Sequence, residues 1–255
     1  MLVSVDFAWM ATVLLVSIRF GVVMLMSPVF SLIGLPLNVR VLIVLAMAVC
    51  LVSGLRAMPA GDLSQPAVLA GAALNELLWG GLLAFTLLAG FAAFQFAGRI
   101  LDIQLGFGVV GLIDPSTRAS ASLLGTIMNM TAVVTFFLTG AHRLLLRGLA
   151  FSLERIPPGS RLDAVPVDTV VGQFGAMFLS AALLAAPVMA VVLFVDVALA
   201  MMARTMPQMN VFIVGLPLKI LVGLIVFAVA LGFLGPQFSR IFEDLFAGWQ
   251  RLLGS

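Results

Sequence analysis

Five stretches of this chain, 20–39, 77–98, 119–142, 169–195 and 220–239, carry no Asp, Glu, Lys or Arg. Each supplies about 20 residues or more, the length a helix needs to cross roughly 30 Å of hydrocarbon. In hydrocarbon a backbone must satisfy its own hydrogen bonds, so such stretches form helices and not open sheet. With their apolar flanks they extend to six hydrophobic segments: 7–34, 39–56, 67–98, 121–146, 170–203 and 209–236. The fold class that follows is all-α, a polytopic membrane protein of about six segments. Composition closes off the soluble alternative. Hydrophobic residues make up 63% of the 255, charged residues only 9%, and the mean hydropathy is +1.24, where a soluble domain carries roughly 25% charged residues. No cleavable leader is expected, because MLVSVDFAWMATVLLV lacks a basic start and runs directly into a membrane-length segment.

Several segments are too long for one straight span. Residues 170–203 would measure about 51 Å as a helix, and Pro187 in their middle predicts a kink or a break. The stretch MPQMNVFIVGLPLK (206–219) holds two prolines and the only lysine of the chain. Here Pro207 is expected to end one helix and Pro217 to break the next, while Gln208 and Asn210 bond the freed backbone groups. SPVFSLIGLPLNVR (27–40) repeats the style with Pro28, Pro36, Asn38 and Arg40. Proline-broken hairpins at membrane depth are tolerated where protein surrounds them, which points to a subunit packed within an oligomer. LRAMPAGDLSQPA (55–67) and LERIPPGSRLDAVPVD (153–168) read as polar connecting loops.

The residues for catalysis are sparse. His142 is the single histidine, so sites needing several histidines are excluded, and HExxH is absent. Cys50 stands alone in an apolar run without a base to activate it. Neither a GxSxG elbow nor a GxxxxGK[ST] loop occurs. No enzyme activity and no cofactor are expected. The thirteen basic residues are scattered and leave a net charge of +2, too sparse for a nucleic-acid patch.

Ionisable groups inside membrane segments cost several kcal/mol unless paired or wetted. Arg19, Glu76, Asp196 and Lys219 are therefore candidates, either for charge pairing and subunit packing or for a proton or ion path. A secondary transporter using Arg19, Glu76 and Asp196 as a coupling relay is the competing class. GRILDIQLGFGVVGLIDP (98–115) holds glycines at 98, 106, 108 and 111, a density that permits close helix packing or an irregular backbone. Asp114-Pro115-Ser116 then reads as a turn. Such a loop facing lipid would be costly, so it must be buried in protein or line a cavity.

Along nearly its whole length the chain resembles the FliR/SctT family of type III secretion export-gate proteins. The likeness lies in SPVFSLIGLPLNVRVLIVLAMAV (27–49), NELLWGGLLAF (75–85), FAGRILDIQLGFGVVGLIDP (96–115), LTGAHRLLL (138–146) and PQMNVFIVGLPLKILVGL (207–224). The resemblance implies a non-enzymatic subunit of a protein export gate, similar in fold to a fused pair of its partners: residues 1–150 a FliP-like part, residues 151–255 a FliQ-like hairpin. It implies assembly with five FliP-like and four FliQ-like chains into a channel. Neighbours would be FlhA-like, FlhB-like and rod or FliE-like proteins, with unfolded exported proteins as cargo. The place implied is the flagellar basal body in the bacterial inner membrane, an SctT-like injectisome role being the alternative. The segment Gly106, Phe107, Gly108, Val109, Val110, Gly111, Leu112, Ile113, Asp114 and Pro115 would be the channel plug. Arg40, Pro207, Gln208, Asn210, Pro217 and Lys219 would serve subunit packing, with membrane lipid as the remaining contact.

Overall fold

The computed structural model describes residues 7–29, 34, 36–55, 57–61, 63–107, 122–162, 167–205 and 211–254, the last without the side chains of 211–214. Among them are eight helices and no strand: α1 (Phe7–Met26), α2 (Leu37–Leu55), α3 (Pro66–Leu105), α4 (Leu123–Leu138), α5 (Ala141–Arg155), α6 (Val167–Thr205), α7 (Val211–Phe233) and α8 (Gly235–Gly254). The polar loops fall where the sequence places them. α2 stops at Leu55 and Pro66 opens α3, the first helical position being where its missing N–H costs nothing. α5 stops at Arg155, before Pro157 and Pro158.

Five helices are long and apolar enough to cross a membrane: α1, α2, α3, α6 and residues 215–233 of α7; counting α4 and α5 as one broken span makes six. The protein is an all-α, multi-pass membrane protein. α3 has 40 residues and α6 has 39, or about 60 Å each, twice the hydrocarbon thickness.

Three sequence expectations are corrected. α7 runs on through Pro217, where a break was expected, and α6 through Pro187, where a kink or a break was expected and no break is found. A proline forfeits one ladder bond and crowds the preceding turn. Unwinding further would strip more backbone groups of partners in surroundings without water to replace them, so the helices continue. The segment 121–146 divides at Thr139–Gly140, where Gly140 takes φ 75°, a left-handed conformation that glycine adopts without strain. The C-terminal stretch, given no element, is the amphipathic α8.

The chain forms two compact units. The first comprises residues 1–89, 140–174 and 243–255. In it α1 packs on α2 through Val13, Val16, Ala48 and Val52, with Leu153 of α5 joining them. Ala11 and Leu15 face Leu63 and Ala72. α5 is amphipathic: Leu145, Leu149 and Leu153 are buried at helical spacing while charged residues stand between them. Trp249 of α8 covers Gly148, leaving no room for a Cβ there, and its indole donates to Thr86 Oγ1 at 2.7 Å.

The second unit comprises residues 90–139 and 175–242. Its core is a cluster of phenylalanines, Phe91, Phe94, Phe136, Phe238 and Phe242, with ring centroids 4.8–5.7 Å apart. Such tilted and edge-on pairs are favoured by the ring quadrupole. Phe96 meets Phe178 at 4.7 Å. On α6, Met177, Ala181, Leu184, Val188 and Val192 form a buried stripe. Outside it, Leu179, Leu183 and Phe194 of α6 and Leu221, Ile225 and Val229 of α7 are apolar and exposed.

Candidate functional site: the clamped base of the glycine-rich segment

Of the ten residues 106–115, Gly106 and Phe107 are described; Gly108, Val109, Val110, Gly111, Leu112, Ile113, Asp114 and Pro115 lie outside the described residues, as do Pro207, Gln208 and Asn210. The base of the segment is described on both sides.

On the incoming side α3 does not dissolve into the glycine-rich run but ends in a defined cap. Gly106 takes φ 88°. Its N–H donates to Ile103 O at 3.2 Å, and the N–H of Phe107 donates to Asp102 O at 2.9 Å. These are the two bonds of a Schellman motif, in which a left-handed glycine closes the last turn.

On the outgoing side Ser122 caps α4, its Oγ accepting from Gly125 N at 2.9 Å. The two sides are tied by Asp102, which is buried. Its Oδ1 accepts from Leu124 N at 3.1 Å and its Oδ2 accepts from the Ser122 hydroxyl. A carboxylate is well placed there, because helix N-termini present unpaired N–H groups and a partial positive charge. One turn back, Gly98 lies against Gly125; a Cβ on Gly98 would overlap the Gly125 backbone. Small residues let helices approach this closely.

α7 completes the base. Leu105 sits over Gly223, and a Cβ on Gly106 would meet Leu216 Cδ1 at 2.8 Å. Pro217 and Lys219 lie on this same stretch of α7. Lys219 Nζ stands 2.8 Å from each carboxylate oxygen of Asp196 on α6. The pair is partly open, with side-chain exposures of 18% for Lys219 and 37% for Asp196.

The first unit holds the other two embedded charges. Arg19 is 1% exposed and Glu76 is 0% exposed. The guanidinium engages both carboxylate oxygens, Nε to Oε2 at 2.6 Å and Nη2 to Oε1 at 2.9 Å, the two-pronged geometry that makes arginine–carboxylate pairs strong. Nη1 donates to Ser152 O at 3.0 Å and Ile156 O at 3.1 Å, and Glu76 Oε1 also accepts from Gly159 N at 2.8 Å. One hydrogen-bonded network thereby joins α1, α3, α5 and the loop after α5. Arg40 is half-buried in the first turns of α2.

Sequence reasoning singled out the four charges and offered charge pairing as one role, but not which acid meets which base. It missed Asp102, Ser122 and Gly125 altogether. The available signals were a serine directly before an apolar run and a glycine directly after one, the marks of a helix start and a helix stop. Among the described residues no group of His, Cys, Asp and Glu could hold a metal ion.

The model of the family "Bacterial export proteins, family 1" matches residues 10–245. The flagellar biosynthetic protein FliR of Bacillus subtilis is 34% identical over 90% of this chain and 90% of its own length. That of Escherichia coli is 28% identical over 68% and 67% respectively. The Yop proteins translocation protein T of Yersinia pestis is 33% identical over 57% of each. A fold of long apolar helices with a clamped glycine-rich segment thus coincides with a match along almost the whole chain, and the chain belongs to family 1 of the bacterial export proteins, together with the FliR proteins.

Proposed function

We propose that this chain is a core, non-enzymatic subunit of the flagellar type III protein export gate, enclosed in the assembled channel by FliP-like and FliQ-like neighbours. One observation carries the reading. α6 has 39 residues, about 58 Å, and along it Leu179, Leu183, Phe194, Val197 and Met201 are all at least half exposed, with the Asp196–Lys219 pair set among apolar side chains. A bilayer core covers about 30 Å of such a face, and charges there are costly against lipid. Enclosure by sister subunits satisfies both requirements. The match to FliR of Bacillus subtilis over 90% of both chains, against 57% for the Yersinia protein, supports the flagellar branch over the injectisome.

The 5:4:1 arrangement with FliP-like and FliQ-like chains, the FliP-like character of residues 1–150 and the FliQ-like character of residues 151–255 belong to the same proposal. So do the neighbouring FlhA-like, FlhB-like and FliE-like proteins and the location in the inner membrane at the basal body. Within it, residues 106–115 act as the plug. The clamp by Asp102, Ser122, Gly98 and Gly125 supports that role, because it holds the two ends of the segment together independently of what lies between them. The transporter reading is disfavoured: Arg19 and Glu76 saturate each other in the first unit, and Asp196 is bound to Lys219 in the second.

The experiment is purification of the tagged chain from its own cells in mild detergent. The reading requires a large hetero-oligomer containing two further small membrane subunits. A chain that elutes alone, and in that state binds a small solute, would instead support the transporter.

A further inference from the structure

Asp102 serves both ends of the glycine-rich segment at once. All three of its oxygens are used. Its backbone carbonyl accepts from Phe107 N at 2.9 Å, the bond that closes α3. Its carboxylate reaches the far end, Oδ1 accepting from Leu124 N at 3.1 Å and Oδ2 from the Ser122 hydroxyl. The Ser122 oxygen in turn accepts from Gly125 N at 2.9 Å. One residue thereby fixes both where the chain leaves α3 and where it re-enters α4, 22 residues further on.

This joint differs in kind from the Arg19–Glu76 pair. Asp102 is 5% exposed, yet among the described residues the ion pairs are Arg19–Glu76 and Lys219–Asp196, and neither includes it. Its charge is balanced instead by the start of α4, where unpaired N–H groups and the helix dipole favour an anion. That balance exists only while the first turn of α4 is formed. Fraying of the turn takes both donors away together, so the joint opens as a unit. The close contact of Gly98 with Gly125 lies just beyond and limits how far the fraying runs. Freeing Ser122 to Leu124 adds three residues to the fourteen of 108–121. Three residues are about 10 Å of chain, which lets the middle of a segment held at two ends travel about 5 Å further.

We infer that Asp102 is the positioning residue of the plug: its carboxylate sets the level at which residues 106–115 close the passage, and the passage leaks when this joint opens even though the segment is intact. Hydrogen bonds to a charged acceptor are the stronger kind, which suits a joint that must hold at rest. No counterion pair has to be broken to release it. The inference rests on the plug reading and adds the residue that governs it.

The test is uptake of a small dye by cells, expressed per assembled complex recovered from the same culture, so that poorer folding alone does not score as a leak. Asp102→Leu removes both acceptors and should raise uptake about tenfold, the equilibrium factor for the net worth of one hydrogen bond to a charged group. Ser122→Ala removes one of the two donors and should leak less than Asp102→Leu but more than Ser122→Thr, which keeps the hydroxyl. In a chain already lacking residues 106–113, Asp102→Leu should add nothing, because the carboxylate acts through that segment. If the deletion leaks while Asp102→Leu seals as well as the parent, the inference is overturned and the plug reading stands. A deletion that itself seals removes the plug reading, and this inference with it. Extra leak from Asp102→Leu on top of the deletion also overturns the inference, since the residue would then act on the fold at large. Should Asp102→Leu fail to accumulate, the Ser122 pair decides, and equal uptake by Ser122→Ala and Ser122→Thr counts against it.

Discussion

Consider Glu76→Leu. The substitution removes the acceptor of three hydrogen bonds and leaves Arg19, 1% exposed, as a buried charge without its counterion. Taking one partner from a buried ion pair costs about 3–5 kcal/mol. With about 2–4 °C of melting temperature per kcal/mol for chains of this size, the expected drop is about 6–20 °C. Arg19→Met should cost a similar amount, because it strands the Glu76 carboxylate. The double variant Arg19→Met/Glu76→Leu removes both charges together and replaces them with apolar side chains. It still orphans Ile156 O and the Gly159 N–H, at about 1–3 kcal/mol, while Ser152 O keeps the Ile156 N–H. It should therefore recover at least half of the loss seen in either single variant, a coupling that only contacting residues show. The chain offers a convenient reporter, since its tryptophans, Trp9, Trp79 and Trp249, all fall in the first unit. Tryptophan fluorescence during thermal unfolding in detergent reads the network directly. Single variants melting within about 2 °C of the parent, or a double variant losing the sum of the singles, would refute the reasoning.

Three further outcomes follow from the clamp and the second ion pair. Asp102→Ala leaves Leu124 N–H and the Ser122 hydroxyl without their acceptor and should destabilise the second unit by about 1–3 kcal/mol; limited proteolysis should then cut between residues 106 and 121 faster than in the parent, and unchanged cleavage would deny the clamp. Gly98→Val forces a branched side chain into the Gly125 backbone and should cost about 1–3 kcal/mol, read as lower abundance in membranes, whereas Gly81→Ala, at a position with open space, should change nothing. Lys219→Ala leaves the Asp196 carboxylate unpaired on an apolar face and should reduce co-purification with neighbouring subunits severalfold; Lys219→Ala/Asp196→Ala should restore part of the yield, and a double variant no better than the single would remove the pair from the account.

Much of this molecule was legible in its sequence because lipid is a demanding solvent. Long charge-free runs have few structural solutions, so helix class and loop positions followed from composition and length alone. Arg19, Glu76, Asp196 and Lys219 stood out for the same reason. Their partners did not, because Arg19 and Glu76 are 57 residues apart and nothing in either neighbourhood encodes the other. Asp102 was hidden differently. It stands in a glycine-rich stretch that reads as irregular backbone, while the structure carries α3 through Gly98 to Leu105 and stops it only at Gly106. A glycine inside a helix at a close helix crossing and a glycine that ends a helix look alike in a string of letters. The amphipathic helices escaped a search for span-length hydrophobic runs: the start of α5 was merged with the span before it, and α8, with charges between its apolar residues, was passed over. Pro217 shows the converse, a strong local signal for a break overruled by surroundings in which breaking more bonds would be worse.

The central claim is that residues 106–115 close a protein-conducting passage and that their clamped base does not depend on them. The direct measurement is ion and small-dye permeability of cells carrying a deletion of residues 106–113, alongside the yield of the assembled complex. The claim predicts normal assembly with a leaky membrane. A deletion that assembles fully and seals as tightly as the parent would contradict it.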